Sequence, residues 1–153
     1  MRVWRICRKP YVNNALDGIG GMYTSGRWHT KGNPIVYTAS SAALAALEVL
    51  VHVDPLMAPS DLRLLAIEIP DDLSTAILEP TMLPGDWSTL PAPASLQTLG
   101  VSWLTSGGSA VLSVPSAVIS VERNFLHNPR HPETQRIRII SDEAFTFDTR
   151  LLT

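Results

Sequence analysis

The stretch Ser40-Ser41-Ala42-Ala43-Leu44-Ala45-Ala46-Leu47-Glu48-Val49-Leu50-Val51-His52-Val53 decides how the chain is read. It is helix-like and apolar on every side, so its composition predicts a helix buried all round. One carboxylate, Glu48, stands in its middle. A buried carboxylate costs several kcal/mol unless something pairs with it or uses it. On a helix, Ser41, Leu44 or Ala45, Glu48 and His52 share a face by i, i+3 and i+4 spacing. Two readings follow. Glu48 pairs with His52 at the helix surface, or it faces a cleft, where it stabilises a developing positive charge. Just upstream, Gly26-Arg27-Trp28 and Tyr37 place a cation and a phenol near the same helix.

The flanks of this stretch carry their own signals. Ser40 or Ser41 caps the helix, and Asp54-Pro55 ends it, because the residue before proline avoids helical backbone angles. Pro34–Thr38, β-branched and aromatic, is a strand leading into it. Before that strand, Asn13-Asn14, Asp17-Gly18 and Gly20-Gly21 mark turns across Tyr11–Met22, and Val3–Cys7 forms a first strand. After the helix, Leu62–Ile69 and Ser74–Leu78 are strands. The segment from Pro80 to Pro93, with Pro84 and Pro91 inside it, is a long irregular connection carrying Asp86-Trp87, of a length often reserved for function. Ala94–Leu104 is helical and is broken at Gly107-Gly108. Ser109–Val114 and Ala117–Val121 are strands separated by Pro115-Ser116, an edge or bulge where a side chain is re-aimed. Asn124–Pro132 is turn-like, and Arg136–Ile140 and Phe145–Phe147 are short final strands. Many short strands with one strong and one weaker helix predict an α+β, mixed β architecture rather than βαβ units.

The 153 residues suit one domain over 1–153, long enough to bury a core without disulfides or metals. An apolar fraction of 45% and a charged fraction of 17% describe a folded globular chain. A net charge of −2 with no Lys or Arg run gives no electrostatic reason to expect nucleic-acid binding. Cys7 is the lone cysteine, which excludes an internal disulfide and a cysteine metal cluster. Ala42–Val51 is too short to span a bilayer, and Met1–Arg5 lacks the apolar core of a signal peptide, so a cytoplasmic protein is expected. His127 and His131 flank Pro129 and cannot lie on one helical turn, so no metal is expected either.

The polar residues left over are Arg27, a planar fork of donors suited to phosphate; Tyr37, able to stack on a flat heterocycle; Glu48; and Ser116, at the break between strands. No Ser-His-Asp or Cys-His arrangement is visible, and Gly18-Ile19-Gly20-Gly21 lacks the spacing of a nucleotide loop. The set suits a substrate with phosphate, an aromatic ring and a bond that breaks through a cation.

Gly26-Arg27-Trp28, Val36-Tyr37-Thr38-Ala39-Ser40, Leu44-Ala45-Ala46-Leu47-Glu48 with His52, Val114-Pro115-Ser116-Ala117-Val118 and the run Glu122–Pro132 together resemble the RES-domain family, named for its Arg, Glu and Ser. The resemblance extends through Asp86-Trp87 and the Phe147–Leu151 tail, and so over almost the whole chain. It implies an ADP-ribosyltransferase-like fold and the toxin of a bacterial toxin–antitoxin pair. Such a toxin destroys NAD, its substrate rather than a cofactor, by hydrolysis or phosphorolysis of the nicotinamide–ribose bond. It also implies a helical, Xre-like antitoxin that covers the active site, in a complex that can hold a toxin homodimer. By this resemblance the family's Arg, Tyr, Glu and Ser fall on Arg27, Tyr37, Glu48 and Ser116, with Asn124 a further recurring position and Trp28 a further substrate contact. His29 departs from the pattern, since many members carry Asn after the Trp. Two other expectations stand beside the toxin: transfer of ADP-ribose to a protein, and a non-catalytic binding module of the same fold.

Overall fold

In a computed structural model describing residues 1–153, the elements follow in the order β1 (Arg2–Arg8), α1 (Gly20–Tyr23), β2 (Val36–Ala39), α2 (Ala42–Leu50), β3 (Leu62–Glu68), β4 (Thr75–Ile77), α3 (Ala94–Ser106), β5 (Val111–Pro115), β6 (Arg123–His127) and β7 (Arg138–Ala144). The strands build one 7-stranded sheet in the order β4-β5-β6-β2-β1-β3-β7. Every neighbouring pair is antiparallel except β4 with β5. The fold is α+β, as the strand-rich pattern predicts.

Strand side chains alternate between faces, and that alternation sorts the core. One face buries Val3, Leu65, Ile67 and Val111 with Ala15, Ile69, Leu73 and Ile137. The other carries two groups side by side. Trp4, Ile6 and Ala39 receive Leu44 and Ala45 of α2. Leu112, Val114 and Leu126 receive Trp28, Trp87, Leu96 and Trp103. Each fully buried Val, Leu or Ile among them contributes about 1.5–3 kcal/mol.

Helix α2 starts where its cap predicts: the Ser41 hydroxyl accepts from the Leu44 N–H at 3.0 Å. It stops at Leu50, ahead of Asp54-Pro55, and Asp54 instead caps a 3-10 turn at Pro55–Met57 by accepting from the Leu56 N–H at 2.9 Å. It is also less enclosed than its composition predicts. Leu44 and Ala45 are buried, Ala43, Val51 and His52 are exposed, and the rest are half-buried. A helix laid on one sheet face buries one stripe, and an all-apolar sequence does not say which.

Four expectations along the chain are corrected. Ala117–Val121 is a turn, not a strand. The strand is Arg123–His127, inside a stretch read as turn-like from Asn124. Its residues do not alternate polar and apolar, but it lies between β2 and β5, so partners on both sides satisfy its backbone. At the C-terminus a single strand, β7, covers Arg138–Ala144, and the second expected strand, Phe145–Phe147, does not form. The extra residue of β7, Ile140, has no partner in β3, and Phe145 and Phe147 follow the strand as an edge-on aromatic pair at 5.1 Å. Tyr11–Met22 is turn-rich as expected, but a 3-10 turn at Lys9–Asn14 runs into it and α1 begins within it. Helix α3 ends as predicted, at Gly107, whose φ of 62° lies in the left-handed region that closes helices. Within α3, a Cβ at Gly100 would stand 1.7 Å from the Trp28 carbonyl oxygen, so this helix packs backbone to backbone on the Arg27–Trp28 segment.

Candidate active site

Pro115 closes β5, and Ser116 turns inward, fully buried. Its Oγ donates to Glu48 Oε1 at 2.8 Å and accepts from the N–H groups of Val118 and Ile119 at 3.0 and 3.1 Å. One donor and two acceptor sites are then all used. Ser116 is an orienting group, not a free nucleophile. Glu48, half-buried on α2, forms no hydrogen bond or ion pair with the exposed His52, so the surface pair is absent. Its Oε2 has no hydrogen bond within the protein.

Tyr37 stands on β2 two residues before Ala39, on the sheet face that α2 covers. Asn124 pairs with Ala39 across β2 and β6 and shares that face, its Nδ2 reaching the Thr38 carbonyl at 3.4 Å. The Tyr37 hydroxyl accepts from the Trp28 N–H at 3.3 Å and lies 2.7 Å from His29 Nδ1, while His29 Nε2 lies 2.8 Å from the Thr24 carbonyl. Burial lowers the His29 pKa and raises that of Tyr37, with the nearby Arg27 charge opposing the rise, so both rings are neutral at pH 7.

Arg27 sits in a tight bridge in which the Gly26 N–H donates to the His29 carbonyl at 3.1 Å. Only glycine fits at 26, because a Cβ there would lie 2.8 Å from the Tyr37 hydroxyl and 2.9 Å from His29 Cε1. Arg27 Nη1 donates to the carbonyls of Trp87 and Thr89 at 2.9 and 3.0 Å. Its Nε and Nη2 have no partner in the protein, which leaves one edge of the fork for an anion. Trp28 is 2% exposed, packed with Trp87 and Trp103. Its side chain anchors the segment, and it is the backbone of Trp28 that touches Tyr37.

The structure therefore brings Tyr37, Asn124, Ser116 and Glu48 to one sheet face, with Arg27 tied beside Tyr37. It adds His29, which the polar set drawn from the sequence omits; its position straight after Arg27-Trp28 was the available signal. Arg5 supports β2 from the opposite sheet face, where its Nη1 donates to the Tyr37 carbonyl at 2.9 Å. Arg123 is structural: it bonds Ser113, Leu78 and Glu79 and ties β4 and β5 to β6. No three His, Cys, Asp or Glu residues are grouped to hold a metal ion. A depression of about 570 Å³ over the outer side of α3, lined by Gln97, Thr98, Ser102 and Thr105, does not include Glu48.

A family model described as the RES domain matches residues 2–148. "Toxin Res" of Pseudomonas putida is 46% identical over 153 residues, 99% of each chain. "Toxin Res" of Yersinia enterocolitica is 38% identical over 152 residues, 99% of each chain. "Prs ADP-ribosylating toxin" of a Sphingobium species is 37% identical over 153 residues, 97% of this chain and 95% of its own. Among solved structures, a chain of the M. tuberculosis MbcT–MbcA toxin–antitoxin complex matches with a TM-score of 0.78 at 19% identity, covering 99% of this chain and 86% of that one. That likeness is one of fold.

Proposed function

The chain belongs to the RES-domain family, and on that premise we propose that it is the toxin of a bacterial toxin–antitoxin pair and breaks the nicotinamide–ribose bond of NAD. The observation that carries this reading is the Ser116–Glu48 bond of 2.8 Å, which aims a half-buried carboxylate and leaves its second oxygen without a protein partner. The free edge of Arg27 holds the pyrophosphate through charge-assisted hydrogen bonds. The Tyr37 ring stacks on nicotinamide, and Asn124 contributes a polar contact beside it. As the C–N bond breaks, its electron pair leaves with the pyridinium nitrogen, and nicotinamide departs neutral. No strong general acid is needed, which fits the absence of an acid–base pair. The ribose gains oxocarbenium character, as in glycoside cleavage, and the Glu48 carboxylate stabilises that charge or holds a ribose hydroxyl. Water or phosphate then forms the new C–O bond at C1′ and gives up a proton.

An Xre-like helical antitoxin fits this reading. Val51, Leu56 and Met57, exposed by 57, 93 and 76%, form an apolar rim at the end of the helix that bears Glu48. No helix of the chain is long and apolar enough to cross a membrane, and an enzyme acting on NAD has its substrate in the cytoplasm.

Incubating the pure protein with NAD, with and without phosphate, tests the proposal. Free nicotinamide with ADP-ribose indicates water as acceptor, and nicotinamide with a phosphorylated ADP-ribose indicates phosphate. The Sphingobium relative, named an ADP-ribosylating toxin, favours a second reading, transfer of ADP-ribose to a protein. Label moving from NAD to a polypeptide in a cell extract, with no free ADP-ribose, would select it. Intact NAD in every arm would leave a binding module.

A further inference from the structure

We infer that His29 is a positioning residue that takes the proton of the Tyr37 hydroxyl in a hydrogen bond, so that Tyr37 serves its substrate through its ring and not through its O–H. This rests on the reading of the site as an NAD cleft, but the geometry behind it does not. A backbone carbonyl only accepts, so the 2.8 Å contact with Thr24 places the imidazole hydrogen on Nε2. Nδ1 then carries a lone pair, and the hydroxyl 2.7 Å away is its only partner. The Tyr37 hydrogen is therefore committed to His29, and the Trp28 N–H occupies the oxygen from the other side. His29 is 4% exposed, so water does not compete for either nitrogen.

The same imidazole fixes Arg27. It ties the start of the segment, at Thr24, to β2 through Tyr37. The Gly26–His29 bridge and a 3.0 Å bond from Gln97 Nε2 to the Gly26 carbonyl hold what lies between. Ring and cation are thus registered against each other by one neutral histidine. Small displacements of such groups are expensive in rate.

Nitrogen-15 NMR of the histidine side chains in the full chain, without NAD, reads the tautomer directly. The expected signal is a neutral imidazole protonated on Nε2 at pH 7; an imidazolium or an Nδ1–H form overturns the inference. Turnover of NAD is then compared for the parent, His29→Ala and His29→Asn. The asparagine Oδ1 takes the place of Nδ1 but nothing replaces Nε2. His29→Ala is expected to raise KM and lower kcat/KM on the order of 10- to 100-fold, and His29→Asn to recover most of kcat while leaving KM raised. An alanine variant with parental KM and kcat overturns the inference. If alanine prevents folding, the asparagine variant decides: parental KM overturns the loop-registering role, and kcat more than about tenfold below the parent overturns the hydroxyl-accepting one. Should the parent itself leave NAD intact, the proposed function fails while the tautomer still judges the His29–Tyr37 bond.

Discussion

Ser116 Oγ and Glu48 Oε1, 68 positions apart in the chain, lie 2.8 Å from each other. The bond joins the end of β5 to the last turn of α2. Because the same hydroxyl also accepts two backbone N–H groups, it has one orientation available, and it transmits that orientation to the carboxylate. Glu48 is therefore held before any substrate arrives, and preorganisation of this kind makes a charge effective against a short-lived cation.

Glu48→Gln keeps an oxygen for Ser116 to donate to and removes the negative charge. Melting temperature is expected to stay at the parental value or rise slightly. Nicotinamide release is expected to fall about 100- to 1000-fold, or ~2.7–4 kcal/mol. Both are measured on one preparation, and turnover within a few-fold of the parent would remove Glu48 from the chemistry.

Ser116→Ala should look different. It strands the Val118 and Ile119 N–H groups as well as freeing Glu48. Each buried group left unpaired costs on the order of 1–3 kcal/mol, so stability and turnover fall together. An unchanged urea midpoint would show that the turn does not depend on the hydroxyl.

Arg27→Ala is expected to weaken NAD binding by on the order of 1.5–3 kcal/mol. Arg27→Lys recovers only part, because an ammonium cannot bond the Trp87 and Thr89 carbonyls and still offer a flat edge to phosphate. Calorimetry reads the affinities, and equal values for parent and alanine variant would take Arg27 out of the site.

His127 sets an acid limit on the fold. Burial, helped by the Arg5 charge, pushes its pKa down to about 3 from an ordinary 6.5. Below pH 6.5 the unfolded chain binds a proton that the folded chain refuses. Stability is therefore complete above that pH and declines as pH falls toward 3, by a few kcal/mol in all. His29, also depressed by burial, adds in the same direction. Denaturant midpoints recorded from pH 8 to 4 should show the decline, and His127→Gln should flatten it. A parental curve that stays level below pH 6.5 contradicts the assignment.

Much of this molecule was legible in local sequence. Alternation and β-branching mark β1, β2 and β3; Ser41 starts α2 and Gly107 ends α3. These signals act over a few neighbouring residues, through backbone angles, capping bonds and side-chain spacing, and need no tertiary partner. The motif resemblance likewise named Arg27, Tyr37, Glu48 and Ser116 from residue order alone.

Tertiary structure decided the rest. Arg123–His127 is too short and too polar to declare itself a strand, and it becomes central because β2 and β5 pair with it on both sides. The helical spacing of Glu48 and His52 allowed a surface pair, but α2 lies on the sheet with Glu48 turned to Ser116 and His52 left in solvent. Which stripe of an all-apolar helix is buried, and which of its neighbours a carboxylate meets, depends on how distant strands are ordered. That order is a property of the whole sheet, and no window of sequence a few residues wide contains it.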